Sequence, residues 1–577
     1  MKKLIQSMAP YTGYVLIAIA LLFAQAICDL ALPDYMSDIV NTGVMDSNIP
    51  YIWQVGGKML LISLVSAGAS ILVGYIAAYI AANVAGDYRS RVFKKVESFS
   101  NAQFDKFSTA SLITRTTNDV TQVQGLLVMA IRFVFYAPIM AIGGVINAVQ
   151  KSSSMTWIIV IAVICLIGLI LLLLVAVMPK FMLIQNLLDR INRVARENLE
   201  GMLVIRAFNT QKFEEKRFDT ANRDFASTNL YVNRAMALMM PAMMLIMNLT
   251  TLTIVWIGAR QVTTMDMKIG DMMAYMQYAM QIIMAFLFLA MMFIMVPRAI
   301  VSSNRIHEVL ETEPTILDPE KPVSFPEPFV GEVRFEDVSF RYPGGEDDVL
   351  SHITFTAKPG TTTAFIGATG SGKSTLMNLL MRFYDVTGGR LTVGGRDVRE
   401  VSMKALREKI GYVPQKSVLF SGTIHSNLAY ADASMPMEKV EQAAAIAQAT
   451  DFIEEKPDRY EDAIAQGGAN VSGGQKQRLS IGRAIAKNAP ICVFDDSFSS
   501  LDMRTDARLR EALNRDLKEA TLLIVAQRVS TVMNADQIVV LDHGQIAGIG
   551  THRELLASCP VYHEIAASQL SEEELKL

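Results

Sequence analysis

Hydrophobic and polar positions follow two different patterns along this chain. Nearly all long apolar runs lie between residue 1 and about residue 300, whereas residues 331–577 have the mixed composition of a soluble α/β domain. Six runs are long enough to cross a hydrocarbon core of roughly 30 Å, which needs about 20 apolar residues per helix. These spans are predicted near residues 14–36, 56–84, 129–150, 156–178, 236–260 and 272–296. The pattern predicts an all-α, six-helix transmembrane domain over residues 1–310, in a lipid bilayer.

A proline-rich stretch separates the two patterns. Helical sequence continues to about Leu310, and five prolines then interrupt regular structure. They are Pro314, Pro319, Pro322, Pro326 and Pro328. From residue 331 onward, apolar positions recur at the spacing of β-strands and then of helices. We therefore predict a linker over residues 311–330 and a soluble α/β domain over residues 331–577.

Composition narrows the class of protein. The chain has 577 residues, 51% of them hydrophobic, and a net charge of −3. It is too apolar for an ordinary soluble enzyme, and its charge gives no reason to expect nucleic acid binding. The four cysteines are isolated in sequence, which indicates neither a disulfide framework nor a zinc site. No small-residue cleavage site follows Met1-Lys2-Lys3, so a retained membrane segment is predicted instead of a removed signal peptide.

Basic residues indicate how the spans are oriented. The connections after the second and fourth spans are rich in lysine and arginine, among them Arg89, Lys94, Arg190 and Arg206, whereas the other connections carry few. Cytoplasmic loops are enriched in such residues, so these two long connections and both termini are predicted to be cytoplasmic. The flanking helices are expected to extend well beyond the bilayer. The expected location is the plasma membrane of a bacterial cell, as a multi-pass protein.

A complete phosphate-binding loop follows the apolar run at residues 363–366. It has the pattern G-x-x-x-x-G-K-[ST] and comprises Gly367, Ala368, Thr369, Gly370, Ser371, Gly372, Lys373, Ser374 and Thr375. Its glycines let backbone N–H groups face phosphates, Lys373 can reach the β and γ oxygens, and the Ser374 hydroxyl can ligate Mg²⁺. The loop also stands between a predicted strand and a predicted helix, as this chemistry requires. We therefore predict that the chain binds a nucleoside triphosphate.

Two further segments of the soluble domain carry nucleotide chemistry. The apolar run at residues 491–494 has the pattern of a buried strand and ends in Asp495, an acid that can hold Mg²⁺ in P-loop ATPases. Between this strand and the phosphate loop, a short polar segment opens a predicted helix whose N-terminus can bind an anion. The segment consists of Ser472, Gly473, Gly474 and Gln475.

This S-G-G-Q segment resembles the signature of ATP-binding cassette (ABC) transporter subunits, and the resemblance covers essentially the whole chain. In the membrane half, residues 107–119, 197–208 and 303–306 resemble the intracellular loops of exporter-type half-transporters. The resemblance implies six spans followed by one ABC cassette, a P-loop ATPase domain with a RecA-like core and a helical subdomain. Such a half needs a partner, because each ATP site forms between one cassette's phosphate loop and the other's signature.

The same resemblance assigns roles to further residues. It implies that ATP and Mg²⁺ are bound, that Tyr342 stacks on the adenine, and that Gln415 senses the γ-phosphate. Gln415 would also contact Mg²⁺ together with Ser374 and Asp495. A last segment resembles the loop that crosses between two cassettes and comprises Ser500, Leu501 and Asp502.

Two catalytic positions depart from the family pattern. Asp496 stands where the family has the glutamate that polarises the attacking water, and Gln527 stands where it has the switch histidine. Aspartate withdraws the carboxylate by roughly 1.5 Å, and displacements of about 1 Å can cost on the order of 100-fold in rate. Glutamine donates a hydrogen bond, but it carries no charge and shuttles no proton. Residues 462–467 also depart from the usual pattern, whereas the signature is intact apart from Val471 in front of it.

These departures resemble the degenerate-site subunit of heterodimeric bacterial multidrug exporters. In this hypothesis the chain's own phosphate loop and Asp496 hold ATP and hydrolyse it slowly, while its signature completes the catalytic site of a second, different half-transporter. The alternative interpretation of each substitution, taken alone, is sequence drift in which the function is retained. The expected cargo is a small apolar or amphipathic molecule. Two other functions stay open: an importer built on the exporter fold, and a regulatory subunit that binds ATP and gates a partner without driving transport.

Two features of the membrane half are candidates for a substrate pathway. Asp29 lies within or near the end of the first span, where it either faces a cation or makes a structural hydrogen bond near the outer interface. The fifth and sixth spans are rich in methionine, which suits plain packing and lipid contact, an adaptable substrate wall, or contact with a soft metal or haem. The methionines are Met236, Met239, Met240, Met243, Met244, Met247, Met273, Met276, Met280, Met284, Met291, Met292 and Met295.

Overall fold

The computed structural model describes residues 6–571 and residue 575. The side chains of residues 174, 181, 182, 291, 293 and 294 are not described, so the side chain of Met291, one of the candidate methionines, lies outside the described part. The chain divides into two compact units. The membrane unit comprises Met1–Glu97 and Thr109–Thr312, and the cassette unit comprises Ser98–Ser108 and Glu313–Leu577. The short segment Ser98–Ser108 thus packs with the C-terminal unit, although it lies within the 310 residues predicted as a transmembrane domain.

Long helices make up the membrane unit. The helices between residues 12 and 311, including one that belongs to the cassette unit, are α1 (Thr12–Asp38), α2 (Ile49–Glu97), α3 (Asn101–Phe107), α4 (Thr109–Thr114), α5 (Val120–Lys151), α6 (Thr156–Glu200), α7 (Met202–Ala207), α8 (Gln211–Thr263) and α9 (Ile269–Glu311). Within the described residues, six helical segments are long and apolar enough to cross a membrane, which confirms the predicted number. The 49 residues of α2 measure about 70 Å at 1.5 Å per residue, so this helix extends well beyond a core of about 30 Å.

The sequence of α2 shows how these helices pack. Ala77, Ala81 and Ala85 recur every four residues, and all three are buried. Small residues at this spacing form one face of a helix and allow a neighbouring helix to approach closely. Leu60 and Leu64 lie on an exposed face, where lipid can cover them. Between about residues 60 and 85 this helix is apolar on both faces, because one face meets protein and the other is suited to hydrocarbon.

Close packing and ion pairs fix α1, α5 and α9 to one another. α9 packs against both α5 and α1. A Cβ atom at Gly144 of α5 would lie 2.8 Å from Cγ1 of Ile282 on α9, so glycine is needed for this approach. At the end of α5, the Lys151 ammonium pairs with Asp34 of α1 at 3.1 Å and with Asp271 of α9 at 3.0 Å. These contacts tie the three helices together at one end.

The cassette unit is an α/β domain with three sheets. Its strands are β1 (Val333–Phe340), β2 (Leu350–Ala357), β3 (Thr362–Gly367), β4 (Gly388–Val393), β5 (Arg396–Asp397), β6 (Ile410–Val413), β7 (Gly422–Thr423), β8 (Ala463–Ile464), β9 (Ile491–Asp495), β10 (Thr521–Val525), β11 (Gln537–Asp542) and β12 (Gln545–Gly550). One sheet has the order β12-β11-β3-β10-β9-β6, a second has the order β2-β1-β4-β5, and β7 pairs with β8. The predicted strands before the phosphate loop and before Asp495 are confirmed as β3 and β9.

Helices follow the strands and cover the sheets. They are α10 (Lys373–Leu380), α11 (Met403–Glu408), α12 (Ile424–Leu428), α13 (Met437–Ile446), α14 (Thr450–Glu454), α15 (Gly473–Ala486), α16 (Met503–Asp516), α17 (Val529–Val532), α18 (His552–Ser558) and α19 (Pro560–Ala567). All five residues of β9 and all five of β10 are buried, as expected for central strands covered on both faces.

The parallel pairing of β3, β10, β9 and β6 brings the candidate site together. Asp495 of β9 lies opposite Val525 of β10, and Val525 lies opposite Phe365 of β3. Parallel strands in register end at the same edge, where open α/β sheets bind ligands. The segments that follow these four strands therefore meet at one edge of the sheet.

Helix α3 packs on the surface of the cassette unit. Ala102 packs against the apolar core beneath the four-stranded sheet. The Ser100 and Gln103 side chains cap the start of the helix, and Ser100 also shares a hydrogen bond of 2.8 Å with Thr315. The stacked rings of Phe99 and Phe107, 5.8 Å apart, close the two ends of the segment. The segment is thus held at both ends and along one face.

Candidate nucleotide site

The phosphate loop leaves β3 and enters α10 through glycines in left-handed conformations. Gly370 has φ +85° and Gly372 has φ +96°, values that residues with a Cβ atom rarely adopt. A Cβ atom at Gly372 would also lie 2.5 Å from Cδ2 of Leu350. The glycines at these two positions are therefore required by the backbone path. This path places the N-terminus of α10 next to the loop, as anion binding requires.

Lys373 folds back over its own loop. Its ammonium donates hydrogen bonds to the backbone carbonyls of Gly367 at 2.8 Å and Ala368 at 2.7 Å, and to Ser371 Oγ at 3.3 Å. Burial lowers the pKa of Lys373, although the nearby charges of Asp496 and Asp495 act in the opposite direction. A buried ammonium beside two carboxylates is well placed to bind phosphate oxygens.

Ser374 and Asp495 form a pair of hard oxygen ligands. The Ser374 hydroxyl donates to Asp495 Oδ1 at 2.9 Å, and Asp495 is 3% exposed. Burial raises the pKa of Asp495, and the charge of Asp496 raises it further, while the Ser374 bond lowers it. Within the described residues, no group of three or more His, Cys, Asp or Glu side chains could hold a metal ion. The pair fits Mg²⁺, which keeps waters and phosphate oxygens as its other ligands.

In the structure, Asp496 lies next to two glutamines, Gln415 and Gln527. Gln527 Nε2 donates to Asp496 Oδ2 at 2.8 Å, and Gln415 Nε2 lies 3.5 Å from the same oxygen. Burial raises the pKa of Asp496, against the opposing effects of Gln415, Lys373 and Gln527. The residue has φ +48°, a strained conformation at the end of β9. Both departures from the family pattern therefore lie in direct contact with each other.

A cavity of about 300 Å³ opens beside this pair. Its lining includes Asp496 and Gln527 together with Phe498, Ser499, Val525, Ala526, Arg528 and Thr531. The cavity lies at the carboxyl edge of β9 and β10, where the reacting end of a nucleotide is expected.

Tyr342 connects the phosphate loop to two neighbouring aromatic rings. Its hydroxyl shares a hydrogen bond of 3.0 Å with Thr375 Oγ1 at the end of the loop. Its ring packs edge-to-face against Phe340 at 4.8 Å and Tyr384 at 5.1 Å between centroids. Tyr384 in turn donates to Asp105 of α3 at 3.1 Å. Neither Tyr384 nor Asp105 belongs to a motif, so the sequence alone did not predict the contact between them.

The signature segment caps the start of α15. Ser472 Oγ accepts a hydrogen bond from the Gln475 N–H at 3.3 Å, and the Ser472 N–H donates to Gln475 Oε1 at 2.9 Å. Ser472 and Gly473 are exposed. Gly474 lies close to the next predicted segment, since its Cβ position would be 3.4 Å from the Ser500 carbonyl oxygen.

The segment Ser500–Leu501–Asp502 joins β9 to α16. Leu501 is buried, whereas Ser500 and Asp502 are exposed. Asp502 caps α16 by accepting hydrogen bonds from the N–H groups of Arg504 at 3.1 Å and Thr505 at 3.0 Å. The backbone hydrogen bond from Thr505 lowers the pKa of Asp502. The signature and this segment thus present neighbouring exposed surfaces.

In the membrane unit, Asp29 accepts hydrogen bonds from three other helices, two at its carboxylate and one at its backbone carbonyl. Ser66 of α2 donates to Asp29 Oδ1 at 2.5 Å, and Tyr136 of α5 donates to Oδ2 at 2.7 Å. Gln281 of α9 donates to the Asp29 carbonyl oxygen at 3.0 Å. Because both carboxylate oxygens have donors, the structure supports the structural hydrogen bond over the cation-facing role.

The methionines of α8 and α9 divide between packing and exposure. Met243 is buried, whereas Met240, Met244, Met280 and Met284 are exposed. Packing accounts for Met243, and the exposed thioethers are available to lipid or cargo.

Comparison with known proteins identifies relatives of both units. The family model described as ABC transporter transmembrane region matches residues 15–286, and the model described as ABC transporter matches residues 350–499. An uncharacterized ABC transporter ATP-binding protein of Mycobacterium tuberculosis is 38% identical over 98% of this chain and 97% of its own length. An ATP-dependent lipid A-core flippase of Aromatoleum aromaticum is 33% identical over 90% of this chain and 86% of its own length.

A solved structure shares the whole fold. It is described as a bacterial Atm1-family ABC exporter with ATP bound, and it superposes with a TM-score of 0.79. The match covers 98% of this chain and 99% of the other, at 24% identity. At that identity the likeness concerns the fold alone.

Proposed function

This chain belongs to the ABC transporter family, with a transmembrane region and one ATP-binding cassette, and we propose that it is one subunit of an ATP-driven exporter of apolar or amphipathic compounds. The observation that carries the proposal is the meeting of Lys373, Ser374 and Asp495 at one sheet edge, in a chain whose described residues include six helices long and apolar enough to cross a membrane. The relative named as a lipid A-core flippase supports an amphipathic cargo.

The chain's own residues would hold Mg-ATP at this edge. The loop N–H groups and Lys373 bind the phosphates, and Tyr342 offers its ring to the adenine. Ser374, Asp495 and Gln415 would hold Mg²⁺, which would neutralise charge on the nucleotide phosphates. The Ser374 hydroxyl and the Asp495 carboxylate, now bonded to each other, are the oxygens that would ligate it.

The contact between Asp496 and Gln527 supports slow hydrolysis at this site. A general base must reach the water whose proton it accepts. The short side chain of Asp496 is drawn toward Gln527 by the 2.8 Å hydrogen bond, which occupies one of its two oxygens. Gln527 supplies neither a charge nor a proton. The site is therefore suited to retaining ATP, and the competent site lies with a different half-transporter.

Exposed apolar side chains around α7 support a two-subunit assembly. Leu203 is 82% exposed, Phe208 75% and Phe213 67%. At 1.5 Å per residue, α7 lies roughly 35 Å along the chain's helices from residue 178, where the fourth predicted span ends. Lipid therefore cannot cover these side chains, and a protein surface must. We propose that the partner's cassette covers these three side chains.

An aromatic pair on the cassette unit offers a matching surface for the partner. Phe420 and Tyr430 are exposed and stack at 4.7 Å, and the Arg483 guanidinium lies 5.2 Å from the Tyr430 ring. Such an exposed aromatic cluster suits the apolar helix of another subunit. The exposed signature at Ser472 would then face the partner's nucleotide.

The proposal is tested with the full-length chain in lipid nanodiscs, alone and together with a second half-transporter co-purified from the same cells. Alone, the chain should bind Mg-ATP and release phosphate slowly, and K373A should abolish binding. With the partner, replacing the partner's catalytic glutamate should abolish turnover, whereas D496N should change it little. Rapid turnover by the chain alone would contradict the degenerate-site assignment.

A vesicle assay separates transport from gating. Vesicles that contain both subunits should move a fluorescent phospholipid analogue in an ATP-dependent, vanadate-sensitive manner. ATP binding without movement of this or other amphipathic probes would favour the regulatory subunit instead.

A further inference from the structure

Tyr384 stands between the predicted adenine site and α3. It is 8% exposed, and its ring packs against Tyr342 and Phe340. Its hydroxyl donates to Asp105 Oδ2 at 3.1 Å. Burial raises the pKa of Tyr384, and the charge of Asp105 raises it further, so the phenol stays protonated and remains the donor.

We propose that Tyr384 is a positioning residue that transmits adenine occupancy at Tyr342 to the docked helix α3. The proposal rests on the proposed function, because it requires Tyr342 to contact the nucleotide base. The pathway has three contacts: Thr375 to Tyr342, Tyr342 to Tyr384, and Tyr384 to Asp105. All three lie within the cassette unit.

The first contact must change when the nucleotide binds. The Tyr342 hydroxyl is bonded to Thr375, the last residue of the phosphate loop. A base that stacks on Tyr342 while its phosphates occupy the loop has to pass between these two residues. The hydrogen bond therefore opens, and the Tyr342 ring shifts against its neighbours.

The buried Tyr384 ring cannot absorb that shift locally. Packed interiors hold side chains in single arrangements, and displacement of one ring moves the rings in contact with it. Phe340 closes the other side of Tyr384 at 5.6 Å. The movement is therefore passed to the hydroxyl end of the residue, where Asp105 is the acceptor.

The contact between Asp105 and Tyr384 lies near the C-terminal end of α3. Gln103 Nε2 reaches the Glu313 carbonyl oxygen only at 3.4 Å, and the Ser100–Thr315 bond lies at the start of the segment. Asp105 is exposed apart from its bond to Tyr384, near the far end of the helix. Through the chain, Ser98 continues from α2 and Ser108 continues into α4. A change at Asp105 thus acts on the connection between two helices of the membrane unit.

The test compares ATP with a ligand that lacks the base. Full-length chain in lipid nanodiscs is incubated with Mg-ATP or with magnesium tripolyphosphate, and hydrogen exchange of a peptide covering residues 98–108 is measured by mass spectrometry. ATP should change exchange of this peptide at least about twofold, and tripolyphosphate should not. Y384F, which keeps the ring, should remove the ATP effect while changing affinity for a fluorescent ATP analogue less than about threefold.

Two further variants make the result specific. D105A breaks the same hydrogen bond from the exposed side and should remove the ATP effect as Y384F does. Y562F removes another buried tyrosine hydroxyl, which bonds His552 at 2.7 Å, and should leave the effect intact. The proposal is overturned if ATP binds without changing the peptide, if tripolyphosphate acts like ATP, or if both Y384F and D105A keep the response. Failure of the wild type to bind ATP would overturn the proposed function, and this pathway with it.

Discussion

Lengthening Asp496 should accelerate ATP hydrolysis by this chain. In D496E one added methylene moves the carboxylate about 1.5 Å farther from the backbone, toward the cavity that opens beside Asp496 and Gln527. The second carboxylate oxygen is then able to reach a water in front of the γ-phosphate. A small rotation of the Gln527 side chain would keep its hydrogen bond, 2.8 Å long in the wild type, to the other oxygen.

The size of the effect follows from the distance that the carboxylate gains. A misplacement of about 1 Å in a positioned group costs on the order of 100-fold in rate. Partial recovery of the reach should therefore raise kcat roughly 10- to 100-fold, or about 1.4 to 2.7 kcal/mol in activation free energy. Because Asp496 and Gln527 touch, the effects of D496E and Q527H should not be additive, and a double-mutant cycle should measure their coupling.

The assay is phosphate release at saturating Mg-ATP, measured on the chain in lipid nanodiscs. D496N is the matched control, because it keeps the size and the hydrogen bond but cannot accept a proton. Its rate should match that of the wild type if Asp496 contributes little as a base. The reasoning is refuted if D496N falls far below the wild type, or if D496E does not exceed it while ATP binding is unchanged.

Three further predictions concern stability and assembly. Burial raises the pKa of Asp496, so its ionised form destabilises the fold. This penalty is absent below the ordinary pKa, grows as the pH rises toward the raised pKa of the folded protein, and is full above it. D496N should therefore raise the melting temperature at pH 7.5 and less so at pH 4.5 in scanning fluorimetry, and an equal rise at both would contradict the burial argument. D29A leaves the Ser66 and Tyr136 hydroxyls without their acceptor and should lower the unfolding free energy by about 1 to 3 kcal/mol, whereas D29N should lose less. L203S combined with F208S should weaken subunit association in mass photometry without lowering the melting temperature, and unchanged association would remove α7 from the interface.

Short-range patterns in the sequence predicted the nucleotide edge well. The apolar run before Gly367 and the run that ends in Asp495 became β3 and β9, because central strands covered on both faces must be continuously apolar. Both strands pair in parallel with β10, which lies between them, and this places the loop and Asp495 at the same sheet edge, where the predicted ligands meet. The lengths of the apolar runs likewise predicted how many helices among the described residues are long and apolar enough to cross a membrane.

Contacts between residues distant in sequence could not be predicted in the same way. Asp105 and Tyr384 are 279 positions apart, and neither belongs to a recognisable motif. The sequence showed that Asp496 and Gln527 were unusual, but their mutual hydrogen bond depends on how β9 and β10 align. The packing of Ser98–Ser108 with the cassette unit also has no local signal, since seven residues of α3 fit either unit by composition.

The exposed apolar side chains around α7 have a consequence for how the cell handles this protein. Chaperones and proteases recognise exposed apolar side chains, such as those of Leu203, Phe208 and Phe213, as they recognise a segment of unfolded chain. In the proposed two-subunit assembly, a subunit bound to its partner would hide these side chains, while a subunit made in excess would keep them exposed to chaperones and proteases. The level of this chain in the membrane should therefore follow the level of its partner, and deletion of the partner should shorten its lifetime without any change in its synthesis.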